Sequence, residues 1–135
     1  MSKHLEHLEQ IRHNKKFLVF LDKHSDQQFI DWQMTVVFYT ALHFIHALAR
    51  KKKCNIGASH EKVHENINPD NKSAIMPLPE LEYASYVNLY HHSRNARYKC
   101  WAMDSNNPLL QYALSECKTY LFGIEEYCIK EGVKV

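Results

Sequence analysis

Apolar side chains recur at the spacing of an α-helix in three long stretches of the sequence. Residues 2–23 carry an imperfect apolar stripe, and residues 108–131 carry a clear one. Residues 32–52 are apolar nearly all round, which is typical of the most buried helix in a bundle. The stripe of the last stretch consists of Leu110, Ala113, Leu114, Cys117, Leu121, Ile124 and Cys128. These three stretches predict three long helices, with the middle one at the centre of the core.

Two further helices are predicted between the second and the last. Ser59 can cap a short helix over the following HEKVHENI. Residues 83–101 contain no Gly or Pro, which favours a continuous helix that Pro79 can open. Residues 69–79 hold three of the four prolines and are typical of a connector. We therefore expect an all-α fold, an up-and-down bundle of four to five helices in one domain over residues 1–135.

Single residues mark the expected ends of these helices. Asp26 or Asp31 can cap the second helix, and Asn107 can cap the last one. Gly132 fits the position just past the end of the last helix, where a left-handed conformation is common.

The overall charge is too balanced to imply nucleic-acid binding by charge alone. Lys and Arg number 17 against 15 Asp and Glu, so the formal charge is only +2. The start of the chain is polar and does not resemble a signal peptide, and no apolar run is long enough for a membrane span. The four cysteines show no paired spacing. We expect reduced thiols in a cytoplasmic protein, with no membrane association and no cofactor.

Two rows of polar and aromatic residues interrupt the apolar pattern. The first, here the tyrosine–arginine row, consists of Tyr86, Tyr90, Ser93 and Arg97 at spacings of 4, 3 and 4. The second, the histidine row, consists of Thr35, Tyr39, His43, His46 and Arg50 on the second helix. One interpretation is an internal hydrogen-bond network that fixes the helix register. The other is that the two rows face each other across a ligand-binding cleft.

The short third helix contains a match to the zinc-binding pattern H-E-x-x-H. His60 and His64 would lie one turn apart and bind zinc, with Glu61 as the general base. However, Lys62 introduces a positive charge inside the motif, the helix is short, and no clear third ligand follows. A zinc hydrolase is therefore the weakest of the alternatives.

The order of the landmarks resembles that of the HEPN superfamily of small all-α domains. The landmarks are Asp31-Trp32, the segment FYTALHFIHALA, Ser59-His60 and Tyr86-x-x-Leu89-x-x-x-Ser93-Arg94-x-x-Arg97-Tyr98. The resemblance extends from Asp31 to the last helix. It implies a helical bundle that often forms dimers. Many members are metal-independent ribonucleases of toxin, defence or RNA-processing systems, and others bind nucleotides, RNA or partner proteins.

The ribonuclease motif of that superfamily is only half present. Arg94 and Asn95 match its start, but Lys99 stands where a histidine is required. A lysine is a poor base near neutral pH, whereas His91 lies three residues before Arg94. Two alternatives follow: a non-catalytic module, as the resemblance to members with a degenerate motif implies, or a ribonuclease with a rearranged site that uses Arg94, Asn95 and His91, with His92 as another candidate for the imidazole.

For the non-catalytic module we expect an RNA, nucleotide or protein partner and a homodimer. The predicted binding residues are Tyr39, His43, His46, His60, Tyr86, Tyr90, Ser93, Arg97 and Tyr98.

Overall fold

A computed structural model describes residues 3–24, 29–98 and 108–135. These residues form five α-helices and no strand: α1 (Lys3–His24), α2 (Ile30–Lys51), α3 (His60–Ile67), α4 (Glu80–Tyr98) and α5 (Pro108–Lys130). The predicted all-α helical bundle is confirmed, and each helix boundary that lies in the described residues falls within three residues of its predicted position.

Helix α2 is the centre of the bundle. It packs against α1, α4 and α5, and α4 also packs against α5. Phe38, Phe44 and Ile45 on α2 are completely buried. A helix with neighbours on several sides must be apolar on several sides, and the pattern of residues 32–52 predicted this position.

The stripe of α5 is confirmed residue by residue, since the same seven side chains are the buried ones of that helix. The apolar stripe predicted for α1 is confirmed in part; its members in the sequence are Leu5, Leu8, Ile11, Leu18 and Leu21. Leu8, Ile11 and Leu21 are buried, but Leu5 is 48% exposed. Asn14 occupies the buried face of α1 instead, and its side-chain oxygen accepts a hydrogen bond from Gln10 Nε2 at 2.8 Å.

Two predicted helix ends are confirmed. The Ser59 hydroxyl accepts a hydrogen bond from the Lys62 N–H at 3.1 Å and caps α3. Gly132 follows α5 with φ +111°, a conformation that favours glycine. The N–H groups of Gly132 and Val133 close the helix by donating to the carbonyls of Ile129 and Cys128.

The prediction that Asp31 caps α2 is wrong. The helix begins at Ile30, so Asp31 lies within its first turn. Phe29 occupies the cap position with φ 56°, and its side chain makes no capping hydrogen bond. The alternative cap Asp26, together with Asn107, Lys99 and the other residues of 99–107, lies outside the described residues.

The proline-rich connector holds α3 in place beside the bundle. The Met76 N–H donates to the Asn66 carbonyl, and the Leu78 N–H donates to the Ile67 carbonyl, both at 2.9 Å. Met76 and Leu78 are also buried in the core. The connector therefore fixes the helix that carries His60 relative to the start of α4.

Two findings concern the predicted environment of the chain. None of the helices in the described ranges is long and apolar enough to cross a membrane. Cys117 and Cys128 are unpaired and buried in the core, and burial raises the pKa of each thiol to about 12. Cys54 is unpaired and half-buried, while Cys100 lies outside the described residues.

Candidate functional site

Helix α3 places two imidazoles against the tyrosines of α4. His60 and His64 are four residues apart and therefore lie on one face of the helix. The His64 ring lies 4.7 Å from the Tyr90 ring and 5.1 Å from the Tyr86 ring, centroid to centroid. The His60 ring lies 5.4 Å from the Tyr90 ring. Three elements supply this cluster, because the Phe38 ring of α2 lies 5.7 Å from His60.

The last two turns of α4 add two guanidinium groups to this aromatic cluster. Arg94 Nη1 donates a hydrogen bond to the Tyr90 hydroxyl at 3.0 Å. The Arg97 guanidinium lies 5.8 Å from the Tyr39 ring centroid and also donates to Ser93 Oγ at 3.4 Å. The Tyr98 ring lies within 6 Å of both guanidinium carbons, at 5.9 Å and 5.7 Å. We call the surface formed by Tyr39, His60, Tyr90, Arg94, Arg97 and Tyr98 the arginine–aromatic surface.

The two guanidinium groups of this surface form no ion pair with a described carboxylate. None of the ion pairs between described residues includes Arg94 or Arg97. Arg94 is exposed, Arg97 is half-buried, and Tyr98 is 72% exposed. The guanidinium groups contact tyrosine rings and hydroxyls, so they can still bind an anion.

The surroundings of His60 and His64 favour the neutral form of both imidazoles. Burial lowers the pKa of His60, and the positive charges of Arg97 and Arg94 lower it further. Burial, His60 and His91 lower the pKa of His64. A neutral imidazole both donates and accepts one hydrogen bond, so His60 can act as an acceptor or a base near pH 7.

Two buried polar atoms beneath the surface have no hydrogen-bond partner among the described residues. They are the hydroxyl of Tyr86, which is completely buried, and Nε2 of His64. Burial raises the pKa of the Tyr86 hydroxyl well above its usual range, so this group stays protonated. The proposed internal hydrogen-bond network is therefore incomplete at these two atoms.

The tyrosine–arginine row lies on the side of α4 that faces α2 and α3. Tyr86 and Ser93 are buried, and Tyr90 and Arg97 are half-buried at the edge of the site. Tyr39 of the histidine row contacts this side of α4, because its ring lies against the Arg97 guanidinium.

The interpretation that the whole histidine row faces α4 is wrong for His43 and His46. His7 of α1 lies 2.7 Å from His43, between their Nδ1 atoms, and its ring stacks on His46 at 5.0 Å. Residues four apart on a helix are offset by about 40° around its axis, so a row of several such steps winds around the helix. One end of the row can therefore contact one neighbouring helix and the other end a different one. His7 packs on α2.

His7, His43 and His46 form a second histidine cluster, which we call the α1–α2 histidine cluster. Burial lowers the pKa of His43 to about 4, with a contribution from the His7 imidazole. The pKa of His46 is also lowered to about 4, by burial, by His7 and His43, and by the positive charge of Arg50. Because this cluster lies against α1, it belongs to the α1–α2 interface and not to the arginine–aromatic surface.

The residues of the half-present nuclease motif lie on the outer side of α4. His91 is exposed, with its ring 5.6 Å from the Tyr90 ring, and Asn95 is half-buried. Arg94 is the member that reaches the arginine–aromatic surface. His60, already predicted as a binding residue, brings an imidazole from another helix to this surface, with its ring 5.4 Å from the Tyr90 ring.

The zinc pattern does not fit a metal centre in this fold. Across residues 3–24, 29–98 and 108–135, no three His, Cys, Asp or Glu side chains are grouped to hold a metal ion. His60 and His64 lie against tyrosine rings instead, and no third ligand among these residues joins them.

A pocket lies beside the arginine–aromatic surface and shares Arg97 with it. Its volume is about 270 Å³, and it is lined by Asp31, Trp32, Thr35, Ala96 and Arg97. Sequence reasoning treated Asp31 and Trp32 as a helix cap and a landmark, not as site residues. The signal that could have found them is an acidic residue beside an exposed tryptophan at the start of the central helix.

Comparisons of this chain with protein families, with curated proteins and with solved structures found no match. The resemblance to the HEPN superfamily therefore rests on the sequence landmarks alone and stays a prediction.

Proposed function

We propose that this chain is a HEPN-like helical domain that binds a nucleotide or a short single-stranded RNA at the arginine–aromatic surface. The observation that carries the proposal is that Arg94 and Arg97 lie among tyrosine rings, of which Tyr98 is exposed, without a described acidic partner in an ion pair. The wider setting that we propose, a toxin–antitoxin, defence or RNA-processing system in the cytoplasm, rests on the resemblance and on the sequence.

The chemistry of the surface matches the two parts of a nucleotide. A guanidinium can donate two parallel hydrogen bonds to phosphate oxygens, and it is always charged. Exposed aromatic rings such as Tyr98 provide faces on which a base can stack. The neutral His60 imidazole can hydrogen-bond a ribose hydroxyl.

The limited charge indicates a short ligand. The formal charge of the chain is +2, and the unpaired positive charge at this surface comes from two side chains. Two cations neutralise about two phosphates, which is too few for strong binding of a long duplex by charge alone.

Isothermal titration with nucleoside monophosphates and a four-nucleotide RNA tests this function. We expect micromolar to millimolar dissociation constants. For the RNA we expect the logarithm of the binding constant to fall with the logarithm of salt concentration at a slope of about −1.4, the value for two neutralised phosphates on a single strand. If neither millimolar nucleotide nor micromolar RNA binds, the proposed function is wrong.

The position of His60 beside both arginines favours RNA cleavage as a second candidate function. In such a reaction the ribose 2′-hydroxyl attacks the adjacent phosphate while a neutral imidazole takes its proton. The 5′-oxygen leaves with a proton, and a cyclic phosphate results. Arg94 would stabilise the charge on the phosphate, and His60 or His91 would supply the base.

The same RNA incubated with purified protein tests cleavage. Arg94→Ala is expected to abolish cleavage. The single variants His60→Gln and His91→Gln identify the base, because only the variant that lacks the base should lose cleavage. Equal product from Arg94→Ala and the wild type would assign the cleavage to a contaminant or to another site.

We also propose that the chain pairs with a second copy or a partner protein through exposed aromatic residues near the α1–α2 end. Phe17, Phe20 and Phe29 are each more than two-fifths exposed. Analytical ultracentrifugation is expected to show a dimer that Phe20→Glu weakens about tenfold or more. Phe122→Glu, an equally exposed phenylalanine on α5, is the matched control and should leave the dimer unchanged. A monomeric wild-type protein would overturn the homodimer.

A further inference from the structure

The pocket beside the arginine–aromatic surface has the size of a single nucleobase site. Its volume of about 270 Å³ lies just below the roughly 300 Å³ at which small-molecule sites begin. It lies between the first turns of α2, which supply Asp31, Trp32 and Thr35, and the end of α4, which supplies Ala96 and Arg97. Such a space can accept a base, while the sugar and phosphate remain outside.

Asp31 gives this pocket an acceptor that the fold leaves unused. Its Oδ1 atom is buried and has no hydrogen-bond partner, and Asp31 takes part in none of the ion pairs between described residues. The Thr35 hydroxyl, which also lines the pocket, donates to the Asp31 backbone carbonyl at 2.9 Å and not to the carboxylate. Because Oδ1 is shielded from solvent, a ligand with N–H groups reaches it only when the Asp31 side chain turns towards the pocket, and such a ligand then satisfies the unused acceptor.

The other two walls suit a flat aromatic ligand. Trp32 lines the pocket and is 57% exposed, so it brings an indole with which a flat ligand can stack. Arg97 lines the pocket, while its guanidinium carbon also lies 5.8 Å from the Tyr39 ring of the arginine–aromatic surface. Arg97 therefore connects the pocket to the surface that would hold the phosphate.

We propose that this pocket is the base-binding subsite of the nucleotide site and that it selects guanine. This inference rests on the proposed nucleotide-binding function. Guanine presents two adjacent N–H donors, N1–H and the N2 amino group, and a carboxylate accepts two such hydrogen bonds side by side. Adenine and cytosine present one amino donor beside a ring-nitrogen acceptor, and uracil presents one N–H between two carbonyls.

The opposite edge of guanine carries acceptors that match Arg97. Arginine donates to O6 and N7 of guanine in the commonest specific protein–base contact, and its five N–H donors allow Arg97 to contact this edge of the base and a phosphate together. Asp31 and Arg97 both line this pocket, so the pocket offers an acceptor for one edge of the base and a donor for the other. Trp32 stacks on the ring and contributes to the affinity for every base.

Isothermal titration with the four nucleoside monophosphates tests the selection. For the wild type we expect guanosine monophosphate to bind about 10- to 100-fold more tightly than the other three. Asp31→Asn should reduce this preference to about threefold or less and leave the binding of adenosine monophosphate unchanged. Asp70→Asn, which removes an exposed carboxylate in the connector, is the matched control and should keep the full preference.

A second variant tests the same pocket without changing its charge. Trp32→Ala removes an exposed side chain, so the fold should persist. The variant should weaken the binding of guanosine monophosphate about tenfold. The melting temperature of each variant, measured without ligand, verifies that the chain is folded.

The outcomes separate this inference from the function on which it rests. If no nucleotide binds to the wild type, both the proposed function and the guanine subsite are wrong. If all four nucleotides bind equally, or if Asp31→Asn keeps the preference for guanosine, the subsite is wrong and the nucleotide-binding function stands. Binding unaffected by Trp32→Ala would also overturn the subsite.

Discussion

Replacing Arg94 and Arg97 together by alanine is expected to weaken the binding of a nucleotide or short RNA by about 100-fold or more. Each guanidinium–phosphate hydrogen bond contributes roughly 1.5–3 kcal/mol, and two lost contacts give about 3 kcal/mol or more. Isothermal titration measures the loss. The fold should persist, because Arg94 is exposed and neither arginine forms an ion pair with a described carboxylate.

A variant with the same change in net charge distinguishes this site from general electrostatic attraction. Arg12→Ala with Lys16→Ala also removes two positive charges, from the exposed face of α1. We expect this control to change the affinity by less than about threefold at 0.15 M salt, where charges more than about 8 Å apart are screened. An equal loss in both variants would mean that the overall charge, and not the arginine–aromatic surface, attracts the ligand.

Replacing both arginines by lysine tests the geometry of the contact. Lysine keeps the positive charge but cannot donate two parallel hydrogen bonds, so an intermediate affinity is expected. Affinity equal to that of the wild type would show that charge alone is recognised.

The folded state is expected to lose stability as the pH falls from 7 to 5, because of the α1–α2 histidine cluster. The pKa values of His43 and His46 are lowered to about 4 in the fold, against a usual value of 6.5. Between these values the unfolded chain binds more protons than the folded chain, so acid favours unfolding. The stability that the fold gains by keeping His43 and His46 neutral is fully present above pH 6.5 and is lost as the pH falls towards 4.

The loss in the free energy of unfolding is smaller than the two pKa shifts alone would give, because both side chains are only half-buried and solvent screens their charges. With that reduction we expect about 2 kcal/mol between pH 7 and pH 5, a fall in melting temperature of roughly 7 °C for a chain of this length. Differential scanning calorimetry at the two pH values measures it.

The double variant His43→Gln with His46→Gln tests the cause. It keeps polar side chains but removes both titrating groups, so the difference in melting temperature between pH 7 and pH 5 should shrink by at least half. His13→Gln, at an exposed position of α1, is the control and should keep the wild-type difference. An undiminished pH dependence in the double variant would show that other groups control acid unfolding.

The helices were predictable because local patterns determine them. The seven-residue stripe of α5, the Ser59 cap and the Gly132 end depend on residues within one or two turns, and each is confirmed. The cap of α2 was predicted wrongly because the helix begins at Ile30, directly after Phe29. Phe29 has a left-handed backbone conformation, which local sequence rules do not predict for a phenylalanine.

The candidate site was predictable only in part. The spacing of Tyr86, Tyr90 and Arg97 correctly indicated one face of α4, because helical periodicity alone determines it. Which other helix would meet that face depended on packing. α3 supplies His60 and His64 to it, whereas α1 meets His43 and His46 on another side of α2.

The sequence by itself determined an all-α bundle with α2 at its centre, because the number and width of apolar faces fix how many neighbours a helix must have. Only the tertiary structure decided which polar side chains meet. It separated the histidine row between two interfaces, and it placed Asp31 and Trp32 beside Arg97, more than sixty residues away in the chain. Contacts of this range depend on how helices cross and on the connectors between them, which no periodicity along one helix can encode.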